Sequence, residues 1–337
     1  MARIKVGLNG FGRIGRAFTR IALTRGQFDL VAINTRKTPA AMMAYLLQYD
    51  SVYRKFAKPV AAAADRLTVD QTTIATLQFP LPDAIPWSQF GVDVVVDATG
   101  AFTTKVELEK HRRGSVKKVV LTAPSKDDAT PHVVLGVNDD RIDWQKETVI
   151  SNASCTTNCA APMFKLLHDR FHVVSGFLTT AHAYTSTQSL LDDPGKTPAR
   201  SRAAAVNLVP STTGAAKAIV KTIPDLQGKI DGMAIRVPVP TVSFSDISVI
   251  TEKATTREEV NQAFQSTAAA LPQIIHYSDE VLVSSDHIGS PYSMIFDSNY
   301  TKVINQNLVK VFAWYDNEWG YSQRLVDLVE KLSSVLT

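Results

Sequence analysis

Cysteine is nearly absent: the 337-residue chain contains two, Cys155 and Cys159. Two thiols one helical turn apart exclude a disulfide framework. No local Cys/His grouping has zinc-ligand spacing, so no metal is expected, and a reducing, cytoplasmic setting fits. Long apolar runs are missing too. None approaches the roughly 18 residues of a membrane span, and the opening MARIKVGLNG lacks the apolar core and small-residue cleavage site of a signal peptide. Excess charge is small. Lys plus Arg is 36 against 32 for Asp plus Glu, a formal net charge of +4, too dispersed to imply nucleic acid. The densest basic stretch, Lys110-His111-Arg112-Arg113 with Lys117-Lys118, reads as a solvated helix end and strand start. Present instead is 45% hydrophobic residues with 20% charged, the ordinary balance of a folded protein. At about 100–200 residues per domain the length suggests two domains.

The first half alternates strand and helix patterns. Apolar runs at Ile4–Leu8, Leu30–Ile33, Val92–Val96 and Val119–Leu121 read as buried strands. Helical periodicity covers Arg13–Arg25, with Gly26 as its stop, then Ala40–Gln48 and Thr104–Arg113. Near-continuous apolar strands alternating with helices mean a parallel sheet covered on both faces. Leu67–Leu77 alternates in period two and reads as antiparallel strands added to it. The second half carries strand patterns at Val173–Ala181, Val242–Ile250, Tyr292–Phe296 and Leu308–Trp314, with helices near Gly214–Lys221 and Arg257–Leu271. This is an α+β pattern with a mainly antiparallel sheet. Ser189–Arg202 reads as a long loop, and Trp319–Val335 as a final amphipathic helix.

Three segments carry chemistry. Gly10-Phe11-Gly12-Arg13-Ile14-Gly15 is a GxGxxG between a strand and a helix. There the glycines let the backbone approach a pyrophosphate, and the helix N-terminus offers unpaired N–H groups to it. An acidic residue is expected about 20 residues on to hold the ribose. Counting from Gly15 that position is Thr35, after Asn34 and before Arg36. Thr35 and Arg36 suit a 2′-phosphate; alternatively Arg36 is merely exposed and Asn34 holds the ribose. The second segment is Ser151-Asn152-Ala153-Ser154-Cys155-Thr156-Thr157-Asn158-Cys159. Ser154 is a good N-cap, which puts Cys155 in the first turn, where the helix dipole favours a thiolate. Cys159, a turn deeper, reads as a small apolar residue. Of seven histidines, His111 and His168 look like surface residues, and His182, at a strand end, is the best placed to serve Cys155 as a base. The third segment is anion-binding. Ser211-Thr212-Thr213-Gly214 opens a helix, with Arg200, Arg202 and Arg236 nearby. Arg236 ends an apolar strand, where an unpaired charge is costly. A phosphate would satisfy it, and so would Asp231 or Asp246.

The chain resembles the phosphorylating glyceraldehyde-3-phosphate dehydrogenases over essentially its whole length. The resemblance is carried in order by KVGLNGFGRIGR, the ATG at Ala98–Gly100, SNASCTTNC, HAYT, PSTTGAAKA, GMAIRVPVP and WYDNEWGYS. It implies an α/β protein: a Rossmann-type NAD(P)-binding domain over residues 1–154, with the C-terminal helix 319–337 packing back on it, and an α+β catalytic domain over 155–318. It implies that Cys155 attacks the aldehyde of glyceraldehyde 3-phosphate with His182 as its base. A thiohemiacetal and then a thioester follow, and inorganic phosphate releases 1,3-bisphosphoglycerate. Thr185 and Arg236 would hold the substrate phosphate. Ser154, Thr156, Thr213, Gly214 and Arg200 would hold the attacking one. Gly10, Phe11, Gly12, Arg13 and Ile14 would line the pyrophosphate, and Asn34, Thr35 and Arg36 the adenosine end. Thr99, Gly100 and Thr122 would be further cofactor contacts, with Asn317 on the nicotinamide carboxamide and Tyr321 nearby. A homotetramer is implied, with the loop Ser189–Arg202 reaching a neighbouring subunit. Three departures stand out: Thr35 where the NAD-preferring members carry Asp, FPLPDAIPW before Val92 where many members carry an Arg, and Thr187 where Asp is frequent. NAD is the expected cofactor, with NADP allowed and Asp193-Pro194 opposing a 2′-phosphate. Erythrose-4-phosphate dehydrogenase, or a nucleotide- or RNA-binding role on the same fold, is the alternative.

Overall fold

The structure, a computed structural model, describes residues 3–195 and 197–336. Lys196, expected in the long loop, and Thr337, expected in the final helix, lie outside the described residues, as do Met1 and Ala2. The chain divides into two compact units. The first comprises residues up to Val133, Asp140–Ala153 and those from Ser322 on; the second comprises Val134–Asp139 and Ser154–Tyr321.

The first unit is built on strands β1 (Lys5–Asn9), β2 (Asp29–Thr35), β3 (Val60–Ala63), β4 (Arg66–Val69), β5 (Thr72–Gln78), β6 (Val94–Asp97), β7 (Lys118–Leu121) and β8 (Val149–Ser151). They form one sheet in the order β3-β4-β5-β2-β1-β6-β7-β8. Every pair from β5 to β8 is parallel, and β3-β4-β5 is an antiparallel meander on one edge. The apolar runs read as strands fall inside this sheet because both of its faces are covered. Val94, Val95, Val96, Val119, Val120 and Leu121 have no exposed surface, each worth about 1.5–3 kcal/mol of burial. Helix α1 (Arg13–Arg25) buries Phe18, Ile21 and Ala22 and ends at Gly26 in the left-handed conformation, which glycine adopts without steric cost. Helix α2 (Ala40–Gln48) follows β2.

One expectation fails in this unit and another holds only in part. The helix expected over Thr104–Arg113 is a single capped turn, α3 (Lys105–Leu108), followed by a 3₁₀ turn. The basic stretch is solvated at Lys110, Arg112, Arg113 and Lys117, but His111 and Lys118 within it are buried. Lys118 donates to the carbonyls of Trp144, Gln145 and Glu147, and burial lowers its pKa. His111 accepts from Trp87 Nε1 at 3.0 Å through Nδ1, so Nε2 carries its proton and donates to Asp97 at 3.1 Å.

The second unit holds α4 (Cys155–Phe171), β9 (Val173–Ala183), β10 (Val209–Thr212), α5 (Ala215–Thr222), β11 (Ile230–Val237), β12 (Ser243–Thr251), α6 (Arg257–Ala270), β13 (Ile275–Ser278), β14 (Met294–Asp297), β15 (Lys302–Ile304) and β16 (Leu308–Tyr315). Its sheet runs β10-β11-β9-β12-β16-β14-β13, with β15 on β16. It is mainly antiparallel, as expected, with parallel pairs at β11/β9 and β13/β14. The β11/β9 register sets Arg236 opposite His182. Among the described residues between β9 and β10 there is one short helical turn, Ala199–Ser201. The last helix, α7 (Trp319–Leu336), is tied to the first unit where Arg25 forms ion pairs with Asp327 and Glu330.

Candidate active site

In the first unit the glycine-rich turn and the ends of β1, β2 and β6 enclose a cavity of about 770 Å³. It is lined by Asn9, Gly10, Phe11, Gly12, Asn34, Thr35, Arg36 and Thr99 among others. Gly10 has φ +101°, and a Cβ there would lie 2.7 Å from the Ala98 backbone. Above Gly12 nothing lies within 4 Å, and as the N-cap of α1 it supplies no side-chain cap. Bare N–H groups and open space at a helix N-terminus fit a pyrophosphate. A larger residue at Gly12 would occupy that space.

The adenosine-end residues are placed unequally. Asn34 is consumed by structure: its Nδ2 donates to Asn9 Oδ1 and the Phe79 carbonyl, and its Oδ1 accepts from Phe79 N–H. Thr35 Oγ1 bridges to Thr38, and Arg36 is exposed at the cavity edge. Among the described lining residues none is a carboxylate, whereas Arg16 and Arg36 are both present. Arg16 was not foreseen. Its place on α1, one position beyond the motif, was the available signal. Arg13, by contrast, turns away to ion-pair with Asp50 over the Tyr53 ring, so only its backbone and that of Ile14 belong to the helix start. Gly100 follows Thr99 with φ +67°. Thr122 is outside the lining, its N–H on the Asp97 carbonyl. Beneath the cavity, Asp97 accepts from Asn9, His111 and Thr99.

In the second unit Ser154 caps α4 as its sequence indicates: its Oγ accepts from Thr157 N–H at 3.0 Å. Ala153, just before it, has φ +52°. Cys155 therefore opens the helix, and its Sγ lies 3.4 Å from His182 Nε2. Arg236 Nη1 sits 2.7 Å from His182 Nδ1 and 3.0 Å from the Ala183 carbonyl. Neither alternative partner claims it. Asp246 pairs with Lys310, and Asp231 accepts from the Gly232 N–H. Arg200 donates twice to Ser211 Oγ, at 3.0 and 2.6 Å. Thr213 Oγ1 accepts from Ala215 N–H, and Gly214 begins α5 without a side-chain cap. Thr185 and Thr187 share a hydroxyl contact at 2.8 Å. Asn317 is buried, accepting from Ser243 Oγ, and Tyr321 is buried as well.

The electrostatics differ from the sequence expectation for the thiol. Cys155 retains part of its surface in solvent, but protein encloses most of the sulfur. Burial raises its pKa against the opposing pull of Arg236 and Thr156. The helix end alone thus does not yield a standing thiolate. His182 is pushed down to about 3, first by burial and then by the Arg236 charge, so it is neutral at pH 7. Burial pushes Cys159 up to about 12, which makes it inert. Sequence reasoning gave no role to Tyr315, whose hydroxyl is bound to Thr156 Oγ1 at 2.8 Å and Thr180 Oγ1 at 2.9 Å. Its ring stands edge-on to His182.

Comparison with known proteins gives one answer for both units. Residues 4–105 match the family described as glyceraldehyde 3-phosphate dehydrogenase, NAD binding domain, and residues 154–317 match its C-terminal domain. The chain is 48% identical over 328 residues to the glyceraldehyde-3-phosphate dehydrogenase of Streptomyces coelicolor, covering 96% of this chain and 97% of that one. It is 46% identical over 332 residues to that of Geobacillus stearothermophilus, covering 98% of each. Glyceraldehyde-3-phosphate dehydrogenase 2 of Bacillus subtilis is 44% identical over 333 residues, 98% of this chain and 97% of that protein.

Proposed function

The chain belongs to the glyceraldehyde-3-phosphate dehydrogenase family, and we propose that Cys155 is its nucleophile and His182 the base that serves it. The activity is the NAD-dependent, phosphorylating oxidation of glyceraldehyde 3-phosphate. The observation that carries the residue assignment is the 3.4 Å contact between Cys155 Sγ and His182 Nε2, on a helix start and a strand end that the fold brings face to face.

The sulfur adds to the aldehyde carbon as His182 Nε2 takes its proton and passes it to the aldehyde oxygen, forming a C–S bond and a thiohemiacetal and leaving His182 neutral. Bound NAD supplies the hydride acceptor. His182 takes the hydroxyl proton as the carbonyl re-forms, which leaves a thioester on Cys155. An oxygen of inorganic phosphate then attacks the thioester carbon, the C–S bond breaks, and Cys155 departs as thiolate with release of 1,3-bisphosphoglycerate. Arg236, half-buried and without a carboxylate partner among the described residues, binds the substrate phosphate with Thr185. Thr187 adds a hydroxyl and no repelling charge. Arg200, Ser154, Thr156, Thr213 and Gly214 receive the attacking phosphate. The turn at Gly10–Gly12 holds the pyrophosphate, and Asn317 and Tyr321 serve the nicotinamide end. A cavity lined by two arginines and no carboxylate also tolerates the 2′-phosphate of NADP.

The assembly is a homotetramer in the cytoplasm. In support, Leu190, Leu191, Val206 and Leu208 are each more than two-thirds exposed, a concentration of apolar surface typical of an interface. No described helix is long and apolar enough to cross a membrane. The experiment is reduced-nicotinamide absorbance with glyceraldehyde 3-phosphate, with and without inorganic phosphate, on the wild type, Cys155→Ser and His182→Asn. Phosphate-dependent turnover that both substitutions abolish or cripple is the expected result. Undiminished turnover in Cys155→Ser contradicts the assignment.

A further inference from the structure

A carboxylate without a counter-charge lies under the cofactor cavity. Asp97 ends β6 and has no exposed surface. Its Oδ1 accepts from Thr99 N–H at 3.1 Å and from Thr99 Oγ1 at 2.6 Å. Its Oδ2 accepts from Asn9 Nδ2 at 2.8 Å and from His111 Nε2 at 3.1 Å. His111 has no latitude in this, because Trp87 Nε1 donates to its Nδ1 and leaves the single ring proton on Nε2. Both oxygens of Asp97 thus face donors only, and the group carries its negative charge. No lysine or arginine among the described residues pairs with it. An interior carboxylate of this kind is costly, and four neutral donors keep it in place.

The topology says which half of the cofactor meets that charge. β2, β1 and β6 are consecutive neighbours in the sheet. In a Rossmann-type domain the pyrophosphate sits where β1 enters α1 and the adenosine ribose sits at the end of β2, here at Thr35 and Arg36. The other half, the nicotinamide, therefore extends over the end of β6, where Asp97 and Thr99 lie. The nicotinamide ring is cationic in the oxidised cofactor and neutral in the reduced one. No described residue lining the cavity supplies a negative charge. We propose that Asp97 supplies it from beneath and makes the site select the oxidised cofactor. Its charge attracts the cationic ring and has nothing to attract once a hydride has been added. This role rests on the reading that the cavity holds the dinucleotide. Asp97 lies outside the lining and reaches it through Thr99 and Asn9, so it is a positioning residue that acts through its charge. Tighter binding of the oxidised form loads the enzyme before the aldehyde is oxidised and favours release of the reduced form afterwards, at the expense of some oxidising power in the bound couple.

Calorimetry on the full-length, cofactor-free protein reads the dissociation constants of NAD and of reduced NAD side by side. Wild type should bind NAD the more tightly of the two. Equal binding, or tighter binding of the reduced form, overturns the role of Asp97 without any variant. Asp97→Asn removes the charge at nearly constant shape. It should weaken NAD about tenfold relative to reduced NAD, the size of a unit charge acting across roughly 10 Å of protein interior. Asp97→Glu keeps the charge and should keep the preference, whatever it does to the affinity common to both forms. A residue that merely held Thr99 in place would, on substitution, weaken both forms alike. An unchanged ratio in Asp97→Asn, with wild-type circular dichroism, therefore also overturns the role. Gly12→Val tests the underlying reading separately. Both forms should lose at least tenfold in affinity, and undiminished binding of both would put the cofactor outside this cavity and remove the premise.

Discussion

At the residue scale the two cysteines make opposite predictions from one helix. Cys155 is at the first turn with solvent on one side, whereas Cys159 is fully buried and pushed up to about 12. Native protein should lose one thiol to iodoacetamide, at Cys155, and the second only after unfolding; labelling followed by peptide mass analysis reads this directly. Loss of both at equal rates would refute the placement. Position was legible in the sequence because an N-cap serine and its helix are local features. Ionisation was not. It depends on Arg236, 54 residues from His182 and set beside it only by the parallel β11/β9 register. His111 repeats the lesson. Its basic neighbours in sequence suggested solvent, but Trp87 and Asp97, which bury it, come from other elements. Asp97→Ala would leave the Asn9, Thr99 and His111 donors without their acceptor. Each of these donors left unpaired in the interior should cost about 1–3 kcal/mol of stability, measurable by denaturant unfolding.

At the scale of elements the turn between β1 and α1 separates binding from folding. A Cβ at Gly12 meets nothing within 4 Å, whereas one at Gly15 would lie 2.2 Å from the Gly10 carbonyl oxygen. Gly12→Val should therefore weaken NAD binding at least tenfold with little change in melting temperature. Gly15→Ala must shift backbone and should lower stability by about 1–3 kcal/mol. Fluorescence titration with the reduced cofactor and thermal unfolding distinguish the two; equal stability loss in both would refute the assignment. The same elements show what sequence periodicity can reach. The parallel strands were readable because both sheet faces are covered, so nearly every residue in β6 and β7 is apolar. The helix expected over 104–113 shrank to one turn because a capping box at Thr104 and Glu107 starts it, while Glu109–His111 tightens into a 3₁₀ turn that brings His111 onto Asp97 and Trp87. Tertiary contacts of that kind leave no periodic trace.

At the scale of the whole molecule burial sets the response to acid. His182, His168 and His287 are held below the ordinary imidazole value, each first by burial. In the unfolded chain such groups titrate near 6.5. Between there and the folded value, about 3 for His182, the unfolded state binds more protons, so stability falls as pH falls. His182 alone accounts for about 2 kcal/mol by pH 5. Carboxylates held low by hydrogen bonds, such as Glu107 and Asp127, extend the loss further into acid. Melting temperature should decline from pH 7 to 5, and less steeply in His182→Gln; an identical slope in the variant would contradict a neutral His182. The central claim is that the oxidation runs through a Cys155 thioester that inorganic phosphate resolves. Its most direct measurement is rapid-quench mass spectrometry of the intact protein mixed with glyceraldehyde 3-phosphate and NAD, with phosphate omitted. The account predicts an acyl adduct on Cys155 that accumulates and is discharged on adding phosphate. Steady turnover without phosphate and no adduct on Cys155 would contradict it.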